Sequence, residues 1–168
     1  MGIYQYKAGD IYFGTWRDNV LINGTYLFKN GESFEGNVRN GKQGKGVYRY
    51  SNGNIYDGEW KDDLKNGDGI MQYPSGARYE GDWVKGKKHG TGKYSYENGL
   101  SFTGGFALGK KYGDGTFLFQ NGTKVEGFWD NNHLEGRAKI YYHNGDYYEG
   151  NVHLSEKNGE GTYKWNTE

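Results

Sequence analysis

The sequence predicts an all-β protein: an elongated, single-layer, twisted antiparallel β-meander assembled from repeated hairpins. Three observations lead there. Aromatic-x-Gly units recur on a fixed period, residue types alternate with period two around them, and Gly-containing turns separate the alternating stretches. Composition agrees, with Gly at 31 of 168 residues, Tyr, Phe and Trp at 18%, and all of AVILMFWYC at only 33%. That leaves too little aliphatic material for a two-layer globule and too many aromatics in register for a disordered chain.

The first unit of each repeat is aromatic-x-Gly-x-apolar: "YFGTW", "FEGNV", "YDGEW", "YEGDW", "FTGGF", "VEGFW" and "YEGNV". Its central glycines, Gly14, Gly36, Gly58, Gly81, Gly104, Gly127 and Gly150, are spaced by 22, 22 and then 23 residues. A second unit follows each one, as "GKG", "GDG", "GTG", "GDG", "GRA" and "GEG", with Ile22 and Ala138 where glycine is usual. The chain therefore reads as one array over 1–168: a half unit at 1–11, then repeats starting near 12, 34, 56, 79, 102, 125 and 148. It reads as beginning and ending in mid-repeat.

Within a repeat, Tyr56, Gly58 and Trp60 fall at i, i+2 and i+4 and share one strand face, with Asp57 and Glu59 on the other. In the partner strand type, Gly90, Gly92, Tyr94 and Tyr96 share a face opposite Thr91, Lys93 and Ser95. Turns such as "YSNGNIY", "YPSGARY" and "YHNGDYY" join successive repeats, and Pro74 two residues before Gly76 predicts a type I turn. Such a sheet has no second layer, so its rings must cover one another and the glycine backbone. Fourteen or so strands at ~4.8 Å each predict a ribbon of roughly 65 Å.

These residues resemble the MORN repeat, whose pattern is close to YxGxWxxGxxxGxGxxxxxxGxx; "YEGDWVKGKKHGTGKYSYENG" at 79–99 fits it almost letter for letter. Departures are Ile22 and Ala138 at Gly positions, Val38 and Val152 at the Trp position and Val125 at the Tyr position. The resemblance implies a non-enzymatic scaffold of twisted sheet, as in ciliary, cytoskeletal and membrane-junction assemblies. MORN arrays also occur as appendages of lipid kinases and SET-type methyltransferases.

Charge and composition narrow the function classes. Lys plus Arg and Asp plus Glu are each 21, so no global field draws the protein to nucleic acid or an anionic membrane. There is no cysteine, no apolar run of membrane-spanning length, no signal-peptide core and no myristoylation signal, features that predict a soluble, cytoplasmic protein. "GGFALGKK" has the spacing of a phosphate loop but lacks the following Ser or Thr and the helix. His89, His133, His143 and His153 show no ligand spacing, and the carboxylates beside the central glycines recur in too many hairpins for a unique acid–base pair. No cofactor is expected.

Two surfaces remain. The aromatic face predicts a groove for a protein partner, a helix or an extended segment, anchored by Trp60, Tyr73, Trp83, Tyr96 and Phe106. The inner loops predict a basic rim in which Lys85, Lys87, Lys88, Lys110 and Lys111 meet anionic lipid, each lysine adding roughly 1 kcal/mol near a charged membrane. The terminal strands "IYQY" and "TYKW" are further expected to offer edges for homo-oligomer pairing.

Overall fold

The computed structural model describes residues 1–39 and 41–167. Every regular element among them is a strand, and the chain divides into two compact units, Met1–Gly86 and Lys87–Glu168. In the first unit, β1 (Gly2–Gln5), β2 (Ile11–Arg17), β3 (Val20–Leu27), β4 (Ser33–Asn37), β5 (Gln43–Arg49), β6 (Ile55–Lys61), β7 (Leu64–Gln72) and β8 (Arg78–Val84) form an antiparallel meander. In the second, β9 (Lys87–Ser95), β10 (Ser101–Ala107), β11 (Lys110–Leu118), β12 (Lys124–Asp130), β13 (His133–Tyr141), β14 (Tyr147–His153) and β15 (Glu156–Lys164) do the same. The expected all-β antiparallel meander is therefore what forms.

The outer turns match the sequence reading. Gly76 N–H donates to the Tyr73 carbonyl at 2.9 Å and Tyr73 N–H to the Ala77 carbonyl at 2.9 Å, a type I turn with Pro74 at i+1 closed by glycine. The inner turns are tighter than expected. Asp62 and Asp63 have φ of 50° and 65°, Lys85 and Gly86 48° and 81°, and Asn131 and Asn132 50° and 76°. Two consecutive left-handed residues make two-residue hairpins whose twist matches that of the strands, and Asp, Asn and Gly tolerate that conformation best.

The hairpins within each unit also carry a bulge. Gly58 pairs with Gly69 and Trp60 with Lys65, so three residues of β7 oppose Glu59 alone, with Gly67 taking φ of 74°. This is why the second unit needs its first glycine. The Glu59 carbonyl opposite the bulge is then recovered by a ring, since the Tyr56 hydroxyl donates to it at 3.0 Å. Tyr148 treats Asn151 the same way at 3.0 Å.

The core of each unit is built from rings laid across paired glycines. Tyr12, Phe34, Tyr56, Tyr79 and Phe102 are at most 1% exposed. A Cβ added at Gly58 would lie 2.5 Å from the Gly69 Cα and 2.6 Å from the Tyr56 hydroxyl, so the ring occupies the space a side chain would fill. The next ring then meets it edge-on: Trp60 stands at 90° to Tyr56 with centroids 5.1 Å apart, and its indole N–H donates to the Gly46 carbonyl at 3.0 Å.

The sixth repeat solves the same problem with different residues. Val125 replaces the Tyr or Phe and does not reach over the glycine pair, so the seat is filled by Ala138 and Leu134. A Cβ at Gly127 would meet Leu134 Cδ1 at 2.8 Å and the Ala138 methyl at 3.2 Å. All three replacements are at most 7% exposed. The departure at Ala138 is thus coupled to the departure at Val125.

Candidate functional site: the aromatic face

The rings occupy an inner and an outer set of positions. The inner ones are the seated rings just described and the Trp-type residues beside them. The outer ones lie towards the outer turns, at Tyr26 and Phe28, Tyr48 and Tyr50, Tyr94 and Tyr96, and Phe117 and Phe119, each pair stacked at 4.5–4.9 Å. These outer rings are half-buried except Phe119, which is exposed at 41%. Among the described residues only strands are present, so no helical layer covers them.

The five expected anchors divide between the two sets. Tyr73 and Tyr96 are half-buried outer rings, whereas Trp60, Trp83 and Phe106 are inner ones, 6%, 3% and 5% exposed. Trp83 stands edge-on to Tyr79 and donates its indole N–H to the Gly69 carbonyl at 3.1 Å. The inner three therefore have little area left to offer a partner; their contribution is to fix the outer rings.

The lysines divide as well. Because the inner turns take only two residues, Lys87, Lys88, Lys110 and Lys111 are strand residues, while Lys85 sits at the turn. Lys85, Lys87 and Lys110 are exposed, and Lys110 Nζ donates to Asn131 Oδ1 at 3.0 Å. Lys88 and Lys111 turn onto the rings: Lys88 Nζ is 4.4 Å from the Tyr94 centroid, and Lys111 Nζ is 4.7 Å from Phe117 and 4.5 Å from Trp129. Sequence reasoning missed this set. Its signal was present as Lys42, Lys65, Lys88, Lys111 and Lys157, each but Lys42 five residues after the Trp-type position, with Leu134 at that place in the sixth repeat. Burial against the rings pushes the Lys65 and Lys111 ammonium groups below the ordinary lysine range.

Polar clips hold the rims. Asp63 Oδ1 accepts from the Lys42 backbone at 3.0 Å and from its ammonium at 2.9 Å; Asn132 Oδ1 accepts from Lys111 N–H at 2.9 Å, and Ser155 Oγ from Leu134 N–H at 3.0 Å. On the outer rim, Glu32 accepts from the Tyr48 hydroxyl at 2.6 Å and from Ser51 N–H at 3.1 Å. Those bonds, the Tyr48 one foremost, bring the Glu32 carboxyl down to about 2. Asp146 accepts from Asn166 N–H and the Tyr163 hydroxyl, both at 2.8 Å, and is held below the usual range by the same kind of contact.

Departures from the repeat open pockets on this face. In the second unit a pocket of about 430 Å³ is bordered by Lys111, Phe117, Trp129, Leu134, Ile140 and Tyr142, where Val125, Leu134 and Ile140 stand in place of rings or lysine. In the first unit a smaller one of about 220 Å³ lies by Val38, Phe28 and Lys42. No group of three or more His, Asp or Glu is placed to hold a metal among the described residues.

The family model described as MORN repeat matches residues 34–55, 56–78, 79–101, 126–147 and 148–167. A search of curated protein sequences gives no match. Among solved structures, the chain is similar to the TCP domain of SAS-4 (dCPAP) of Drosophila melanogaster in complex with a proline-rich motif of Ana2 (dSTIL). There the TM-score is 0.56 and the identity 18%, over 86% of this chain and 80% of that one. The TCP10c domain of Drosophila melanogaster Sas-4 is similar at TM-score 0.52 and 17% identity, over 86% and 88% of the two chains. Identities this low speak to the fold.

Proposed function

The chain belongs to the MORN repeat family, and from that premise we propose that it is a non-enzymatic scaffold which holds an extended protein segment against its outer aromatic rings. The observation that carries the reading is the set of half-buried outer rings within each unit, Tyr50 and Tyr73 in the first and Tyr96 and Tyr142 in the second, fixed from below by buried inner ones. Rings already immobilised lose little entropy when a partner covers them, and Tyr and Trp supply most of the energy in such contacts. Trp60, Trp83 and Phe106 support the surface from below. The proline-rich motif held by the structurally similar SAS-4 domain is a segment of the right kind, extended and without internal backbone bonds to satisfy. A cytoplasmic, cytoskeletal or ciliary assembly is the setting we assign, by likeness to other MORN scaffolds.

The basic rim is the weaker surface for this purpose, because Lys88 and Lys111 are directed at rings and Lys85, Lys87 and Lys110 remain for any anion. The test compares affinity capture by the wild type, by Tyr96→Ala/Tyr142→Ala, and by Lys93→Ala/Lys139→Ala on the opposite face, quantified by mass spectrometry. Proteins retained by the wild type and the opposite-face variant but lost by the aromatic-face variant support the reading. Equal recovery by all three refutes it.

A further inference from the structure

In the second unit the aromatic face departs from the repeat of the rest of the chain. Lys111 on β11, Leu134 on β13 and Lys157 on β15 occupy the same position of three successive repeats. Lys157 Nζ lies 4.6 Å from the Tyr148 centroid and 5.1 Å from Tyr163, so it is on the ring side, as Lys111 is. Between them Leu134 is 4% exposed in the wall of the 430 Å³ pocket. The result is a cation, an apolar pocket and a cation in a row.

The two cations are uncompensated. Neither Lys111 nor Lys157 has a carboxylate partner among the described residues, whereas Lys42, at the matching place in the first unit, pairs with Asp63 at 2.9 Å. Desolvation by the rings already lowers the Lys111 ammonium. A ligand that brings a carboxylate to each would recover charge pairing the fold leaves unmade, and the half-burial of Lys111 makes its pair stronger than that of the exposed Lys157.

Spacing decides what kind of ligand does this. Successive hairpins advance by two strands, ~9.6 Å, so the three positions are roughly 10 Å apart in turn. A polyproline II segment laid across the strands advances ~3.1 Å per residue with three residues per turn, so every third residue meets the next hairpin on the same face, which the period of two of a β-strand does not allow. We propose that the second unit reads a seven-residue polyproline II segment of the form acidic-x-x-large apolar-x-x-acidic, its apolar residue in the pocket beside Leu134 and its carboxylates on Lys111 and Lys157. The pattern reads the same in both directions, so it holds for either polarity of the segment. This deepens the proposed function and rests on it.

The test uses the full chain and fluorescein-labelled peptides with the core Glu-Pro-Pro-Leu-Pro-Pro-Glu, read by anisotropy. Controls replace both Glu by Gln, replace Leu by Ser, or move the two Glu next to each other. The parent peptide should bind about tenfold tighter than each control. Lys111→Gln and Lys157→Gln should each weaken the parent peptide several-fold and leave the Gln peptide unchanged. Leu134→Lys, which restores the residue other repeats carry, should remove the preference for Leu over Ser without unfolding the array. Equal binding of the Glu and Gln peptides, or indifference to Lys111→Gln, overturns the motif. If in that case the Gln peptide still needs Tyr142, only the motif falls and the aromatic-face reading stands. Absence of binding by every peptide likewise overturns it.

Discussion

Replacing Phe102 by Val and Gly115 by Ala in the fifth repeat installs two of the three replacements the sixth repeat uses, Val125 and Ala138, and leaves Lys111 where that repeat has Leu134. Each change alone should be costly. A Cβ at Gly115 would lie 2.5 Å from Phe102 Cε2, and the Phe102 ring is 0% exposed with Trp129 packed on it at 5.2 Å, so Gly115→Ala forces overpacking worth ~1–3 kcal/mol. Phe102→Val leaves a cavity over two glycines and should cost about 2–3 kcal/mol. In the double variant the methyl fills part of that cavity and meets no ring. The pair should therefore be less destabilised than the sum of the singles by at least ~1 kcal/mol, a coupling typical of residues sharing one cavity. Urea unfolding followed by circular dichroism reads the global transition, and Trp129 fluorescence reads the neighbourhood of the ring; repeat arrays need both probes, because their cooperativity can break down. Additivity within ~0.5 kcal/mol would refute the idea that the ring and the glycine are one packing unit.

Three further outcomes follow from the same geometry. Tyr56→Phe removes the bond to the Glu59 carbonyl opposite the bulge and should cost about 1 kcal/mol, whereas Tyr12→Phe should be neutral or stabilising, since the Tyr12 hydroxyl is buried without a partner among the described residues; equal costs in denaturation would contradict this. Lys65→Leu imitates Leu134 and should raise stability by ~1 kcal/mol, because burial works against the ammonium; a loss of that size would mean that the ring contact with Trp83 at 4.4 Å outweighs desolvation. Glu32 is lowered in the fold from 4.5 to about 2, so its contribution is complete above pH ~4.5 and lost as pH falls towards 2. Glu32→Gln should flatten the acid limb of the stability profile in that window, and an unchanged limb would assign it to other carboxylates.

The repeat and its turns were legible because they rest on local rules. Tyr73-Pro74-Ser75-Gly76 specifies its turn by itself, and the alternation of Tyr56, Gly58 and Trp60 specifies a face. What parity could not reveal was the bulge. Once three residues of β7 oppose Glu59, counting by twos through the inner turn no longer tracks the faces, and Lys65, Lys88 and Lys111 arrive over rings instead of on a rim. The inner turns hid for a related reason: "KGKKH" reads as a loop until Lys85 and Gly86 are seen to be its only turn residues. Trp83 and Phe106 were expected as anchors on residue type, yet burial depends on whether a neighbour of the right size is seated alongside. Ala138 looked like a lapse from the pattern; only its contact with the Gly127 site shows that it answers Val125.

The most direct test of the central claim is an aromatic-resolved NMR titration of ring-labelled protein with a captured segment. The outer rings within one unit, Tyr96 and Tyr142 in the second, should shift together on binding. The buried Tyr56, Tyr79 and Tyr148, and Tyr112, which packs with Phe128 at 5.8 Å away from the seated rings, should stay in place. Shifts at Tyr112 with the outer rings unmoved would contradict the account.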